Sequence, residues 1–223
     1  MTDAPPAAPR GRRITVVLAV LVLVVAAVLV VLAATRSGRP GTGGPEAGFA
    51  RDMSTHHAQA VRMSFIVRDR TGDERVRLLA YDIINTQSSQ IGMMTAWLDE
   101  WGLPKADPAG PMRWMNGHGG HGSGSGSRTS APAGTPGGTA AMPGMATREQ
   151  LARLEKASGR AAEVLYLQLM ITHHRAGVDM ARAVLDRTGH ERVRRLATTM
   201  VDGQRSEINL MNGMLRERGA SAV

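Results

Sequence analysis

Shifting the sequence by 117 residues lays 46–103 over 163–220 without a gap, and roughly two aligned positions in five are then identical. MSTHH at 53–57 meets MITHH at 170–174, DRTGDERVRLLA at 69–80 meets DRTGHERVRRLA at 186–197, and QSSQIGMMTAWL at 87–98 meets QRSEINLMNGML at 204–215. The chain carries two copies of one module, so its fold must use the same local structure twice.

That local structure reads as a helical hairpin. In the first copy Phe49, Met53, His56, His57, Ala60, Met63 and Val67 recur at three- and four-residue steps, which places them on one stripe of a helix. Thr71-Gly72 stops this helix, because Gly enters the left-handed region that ends one, and Asp73 can cap the next. Val76, Leu79, Ala80, Ile83, Gln87, Gln90, Ile91, Met94, Trp97, Leu98 and Trp101 continue at helical spacing to Gly102-Leu103-Pro104. The second copy repeats the pattern from Thr147, whose TREQ has the form of a capping box, through Gly189 to Gly219, with a break or bend at 157–159. A lone hairpin leaves its apolar face wet, so two must close on each other. The expected fold is all-α: a four-helix bundle made of hairpins 46–103 and 147–220, forming one domain.

Two segments lie outside the hairpins. Residues 14–34 are an uninterrupted apolar run, long enough to cross about 30 Å of hydrocarbon as a helix. Arg10, Arg12 and Arg13 precede it, which keeps 1–13 in the cytoplasm, makes 14–35 a transmembrane anchor and sends the domain outside through a linker at 36–45. The alternative is a cleaved signal peptide and a secreted domain. Residues 104–146 are dense in Gly, Pro, Ser and Thr and read as a flexible loop, yet they hold PMRWMNGHGGHG at 111–122 and MPGM at 142–145.

The net charge of +8 raises nucleic acid as a partner, but the arginines are spread along the helices and only two Phe, two Tyr and three Trp could stack on bases. No nucleic-acid role is expected. With no cysteine, lipoprotein attachment and a disulfide framework are both excluded.

The paired histidines carry the chemistry. Neutral imidazole is the commonest protein metal ligand and thioether sulfur a soft donor, so Met and His without Cys select copper(I), with silver(I) as its surrogate. Thioethers also suit an oxidising compartment, since they need no deprotonation and form no disulfides. Met53 and His57 are four apart and His56 and Met63 seven apart, each pair on one helix face. Adjacent histidines diverge by about 100°, so one of each pair should face its own hairpin and the other the partner module. Met53, His56, His57, Met63, Met170, His173, His174 and Met180 are the expected metal residues. Met112, Met115, His118, His121, Met142 and Met145 in the loop form a second, subsidiary set. Glu46 and Glu163, seven before Met53 and Met170, are candidates to fix the imidazole tautomers from the second shell.

Blander readings stand beside these. An HH pair on an amphipathic helix can simply pack, and duplication copies neutral residues too. Against that, Ala58 has become Arg175 and Arg62 has become Asp179 while both histidines and both flanking methionines persist. Met93, Met94, Met200, Met211 and Met214 read as core filler. Gln87 and Gln90, with Gln204 and Glu207 opposite, read as a buried polar layer or a helix-contact network. No Glu stands three before a His as a di-iron bundle needs, His-Glu-x-x-His is absent, and no nucleophile or phosphate-loop motif occurs.

With these residues in view, the chain resembles the domain-of-unknown-function 305 family in its duplicated form over 46–219. The resemblance rests on FARDMSTHHAQAVRMS, LAYDIINTQSSQIGMMTAWLDEWGLP, PMRWM, MPGM and YLQLMITHHRAGVDMARAV. It implies a ferritin-like or related four-helix fold, an extracytoplasmic location and a link to copper or silver binding and tolerance, with no enzymatic activity established for the family as a whole. The family's Met-x-x-His-His motif falls on Met53, His56, His57 and on Met170, His173, His174, with downstream methionines at Met63 and Met180. Glu163 stands where Asp is common and Ala162 where a bulky apolar residue is expected, which bears on packing at the second entry. The expected function is sequestration or carriage of copper(I) by a membrane-anchored, extracytoplasmic domain, with an unidentified copper-handling partner. The alternatives are a metal-dependent redox enzyme and a helical interaction module without metal.

Overall fold

Caps and stops set the helix boundaries much as their residue types dictate. The computed structural model describes residues 10–37, 39–107, 109–115 and 142–222, and within the first helix the side chains of 16–29. The helices are α1 (Arg10–Ser37), α2 (Pro45–Arg68), α3 (Glu74–Trp101), α4 (Arg148–Lys156), α5 (Gly159–Leu185) and α6 (Glu191–Glu217), with a 3₁₀ turn at Arg113–Met115. No strand occurs among the described residues.

The Asp73 carboxylate accepts the Val76 N–H at 3.0 Å to start α3. Gly102, at φ 69°, ends that helix in the left-handed region where a side chain would strain. Thr147 and Gln150 close a reciprocal capping box at the head of α4. The break expected at 157–159 is complete: Ala157 and Ser158 are extended, and Gly159 donates its N–H to the Arg70 carbonyl at 2.7 Å. The first arm of the second hairpin is thus two helices, with the short α4 laid against α2.

Two units partition the chain, 1–40 and 41–223. In the first, every described side chain of α1 is exposed, from Val16 to Leu29. No helix among the described residues is long and apolar enough to cross a membrane, the described side chains of α1 making up only part of the run at 14–34.

In the second unit α2 pairs with α3, α5 pairs with α6, and α2 packs on α5 between the hairpins. The start of α2 meets the end of α5, where Thr188 donates to Glu46 at 2.6 Å, and the start of α5 meets the end of α2, where Thr71 donates to Glu163 at 2.5 Å. Hence α2 and α5 run antiparallel, related by an approximate two-fold axis through the middle of their contact. Two apolar clusters lie on either side of that axis. One gathers Phe49, Met53, Met94, Trp97, Met180 and Met200, and the other Met63, Ile83, Tyr166, Met170, Met211 and Met214. Each such fully buried side chain contributes about 1.5–3 kcal/mol relative to exposure.

Two expectations need correction. Met93 is 42% exposed and is not core filler, although Met94, Met200, Met211 and Met214 are buried. The segment at 104–146 is not a free loop at its ends. Asp52 accepts both the Met112 N–H and the Trp114 indole N–H at 2.8 Å, and the Trp114 ring sits edge-on to Phe49 at 6.0 Å. At the other end the Gln59 amide clasps Ala146 on both backbone sides, accepting its N–H at 2.7 Å and donating to its carbonyl at 3.0 Å. These bonds hold both ends of the segment onto α2, which composition alone could not disclose. His118 and His121 lie outside the described residues.

Candidate metal centre

The 100° divergence of adjacent helical residues decides how the four imidazoles are spent. His56 and His173 face each other across the α2/α5 contact with ring centroids 3.6 Å apart and planes 27° from parallel, stacked at the two-fold axis. His57 and His174 turn instead toward the second helix of their own hairpin. His57 Nε2 bonds Gln90 Oε1 and His174 Nε2 bonds Glu207 Oε2, both at 2.7 Å. All four are at most 1% exposed.

The methionines flank this layer in pairs that mix the two copies. Met53 of α2 shares one cluster with Met180 of α5, and Met63 shares the other with Met170. Antiparallel packing produces this cross-pairing, since the residue upstream of one His pair meets the residue downstream of the other. Along the α2/α5 seam the order is therefore thioethers, imidazoles, thioethers. Met112 and Met115 pack at the margin of the Met53/Met180 cluster. Met142 is buried, and its strap lies over the histidines: an added Cβ at Gly144 would meet Ala176 Cβ at 2.4 Å, the Thr172 carbonyl at 2.9 Å and His173 Cα at 3.3 Å.

Five buried imidazole nitrogens in this layer make no hydrogen bond of good geometry: both of His56, though the Pro143 backbone lies close enough to that ring to draw on it, Nδ1 of His57, Nε2 of His173 and Nδ1 of His174. Each unpaired buried polar atom costs about 1–3 kcal/mol, and a fold rarely concentrates such costs in one place without a use for the lone pairs. Burial, followed by the fields of neighbouring histidines, pushes His56 down to about 4, His57 down to about 3 and His173 well below its ordinary 6.5. These three are neutral at physiological pH, the state in which imidazole ligates. Among the described residues no group of three or more His, Asp or Glu side chains is arranged to hold a metal, so thioethers would have to complete any shell here.

Glu46 and Glu163 do not serve the imidazoles. They accept from Thr188 and Thr71 at the opposite hairpin turns, and Glu163 also accepts from Arg218 Nε at 2.7 Å. Ten residues, nearly three helical turns, separate them from His56 and His173 and carry them to the ends of the bundle, where turn hydroxyls wait. The groups that do reach the rings are Gln90 and Glu207. The signal for them was present, since both stand 33 residues after their histidine on the inner stripe of the second helix.

A DUF305 protein from Streptomyces coelicolor is 48% identical, with a TM-score of 0.70 over 82% of this chain and 99% of that one. CopM in its copper(II)-bound form has the same fold, at a TM-score of 0.55 and 21% identity over 78% of this chain and 97% of that one. The same protein has been solved in copper(I)-bound, silver-bound and apo forms. An uncharacterised protein, L153, of Acanthamoeba polyphaga mimivirus is 42% identical over 53 residues, 24% of this chain, and this chain spans only about a third (35%) of that relative. Residues 46–215 match the family described as Domain of unknown function (DUF305), and the chain belongs to that family.

Proposed function

We propose that the bundle binds a soft monovalent cation, copper(I) with silver(I) as its surrogate, and acts as a sequestering or carrier protein. The observation that carries this reading is the set of five unpaired imidazole nitrogens lying between two cross-paired methionine layers. Imidazole with thioether is a donor set for soft ions and a poor one for magnesium or calcium. CopM, which shares the fold, has been solved with copper(I), copper(II) and silver, and this supports the choice of metal.

His56, His57, His173 and His174 with Met53, Met63, Met170 and Met180 are the proposed ligands. Met112, Met115, Met142 and Met145 on the docked ends of the long segment are a proposed relay by which ions approach. The apolar run at 14–34 supports a membrane anchor with the domain outside the cytoplasm, and a ferritin-like classification of the bundle belongs to the same proposal. Anaerobic titration of the full chain with copper(I), silver(I), copper(II) and zinc(II) tests the reading. Tight uptake of the two monovalent ions is expected, and changing all four histidines to Ala should abolish it. Undiminished uptake by that variant removes the bundle from consideration.

A further inference from the structure

Duplication placed matching imidazoles in the two halves and then gave them different partners. His57 bonds Gln90 and His174 bonds Glu207, through the same ring nitrogen, at the same 2.7 Å and the same sequence separation of 33. An amide and a carboxylate at one position are not equivalent. A carboxylate can only accept, so the neutral His174 ring carries its proton on Nε2 and has its Nδ1 lone pair free. A primary amide can turn over and present either its oxygen or its NH₂, so Gln90 tolerates both tautomers of His57. In one of these the Nδ1 lone pair is replaced by a proton. That proton must move to Nε2, and the amide must turn, before the nitrogen can ligate.

The carboxylate also adds charge. Neutral imidazole hydrogen-bonded to a carboxylate is a more basic ligand, and Glu207 places a negative charge one ring away from the cation. Both Nδ1 atoms are buried and unpaired, so each is the atom left to ligate. Glu207, 24% exposed at its side chain, touches solvent while the ring it holds is fully buried.

We infer that the two halves are unequal and fill in a fixed order, the His174–Glu207 half first and the His57–Gln90 half second, with Glu207 and Gln90 as the positioning residues that set the order. This rests on the soft-cation reading above. A group hydrogen-bonded to the far nitrogen of a ligating imidazole typically changes metal affinity about 10–100-fold, and a ratio of about tenfold between the halves is expected.

The test is nitrogen-15 NMR of the full chain in mild detergent, metal-free and then titrated with silver(I), which is diamagnetic. In the metal-free protein His174 should show one tautomer, protonated at Nε2, and His57 a mixture. During titration the His174 ring should respond within the first equivalent and the His57 ring within the second. The Q90E/E207Q double exchange should reverse that order, and E207Q alone should remove it, with E207D restoring it in part. Simultaneous response of both rings in the unaltered protein overturns the inference while leaving soft-cation binding intact. Absence of any silver uptake overturns both. The unaltered protein alone decides the matter should a variant fail to fold.

Discussion

Acid should unfold the metal-free bundle in a pH range where most helical domains are indifferent. His56 and His57 are held down to about 4 and about 3 and His173 well below 6.5, first by burial and then by their histidine neighbours. In the unfolded chain each returns to 6.5. Below that pH the unfolded chain takes up protons that the folded one refuses, so stability is whole above 6.5 and drains as pH falls toward the folded values. Each group costs about 1.4 kcal/mol per pH unit once both limits are clear, or roughly 2 kcal/mol by pH 5, and the three together about 6 kcal/mol. That is a large part of the ~5–15 kcal/mol a domain usually has. Asp52, raised by burial, takes its proton earlier in the fold than in the unfolded chain and offsets part of the loss at the acid end. Urea unfolding of the metal-free full chain, followed by circular dichroism from pH 7.5 to 5, reads the slope directly. Replacing His57 by Leu should remove about a third of it. Unfolding free energies that stay within about 1 kcal/mol across that range would refute the assignment of these rings as buried neutral bases.

The bundle ends allow a paired comparison. Glu163 holds Thr71 and the nearly buried Arg218, whereas Glu46 holds Thr188, so Glu163→Gln should cost about 2 kcal/mol and Glu46→Gln about 1, with metal uptake unchanged in both. A drop in metal affinity in either variant would restore them as partners of the imidazoles. A methyl at Gly48 would lie 2.3 Å from Trp114 Cδ1, so Gly48→Ala should expel that indole and shift tryptophan emission to longer wavelength; unchanged emission would mean that Trp114 is not docked there. Gln59→Ala releases the strap at Ala146, and the ion on-rate should rise with little change in melting temperature; an unaltered on-rate would show that the strap does not limit entry.

The repeat made most of the fold legible. Its 117-residue register fixed which helices must match, and Asp73, Gly102 and the Thr147 capping box marked ends that hydrogen bonds now account for, whereas α2 stops at Arg68 with Asp69 in the right-handed region and Gly72 does not take the left-handed conformation expected of it. The divergence of adjacent histidines was legible too, one ring across the seam and one into its own hairpin. Glu46 and Glu163 were misplaced because a shared stripe says nothing of height along the axis, and the ten residues to His56 and His173 carry a side chain about 15 Å away. The docked PMRWM and MPGM ends were hidden because their bonds go to Asp52 and Gln59, polar residues that read as ordinary helix surface. Met93 failed for a related reason: periodicity gives a stripe, and the stripe's edge is set by how closely a neighbouring helix approaches.

Copper K-edge absorption of the copper(I)-loaded full chain bears most directly on the claim that the packed hairpins bring nitrogen and sulfur donors together around soft ions. A first shell containing both imidazole nitrogen and thioether sulfur, with the imidazole scattering lost when His56, His57, His173 and His174 are changed to Ala, is the predicted result. A shell of light atoms alone, or one unaffected by loss of those histidines, would contradict it.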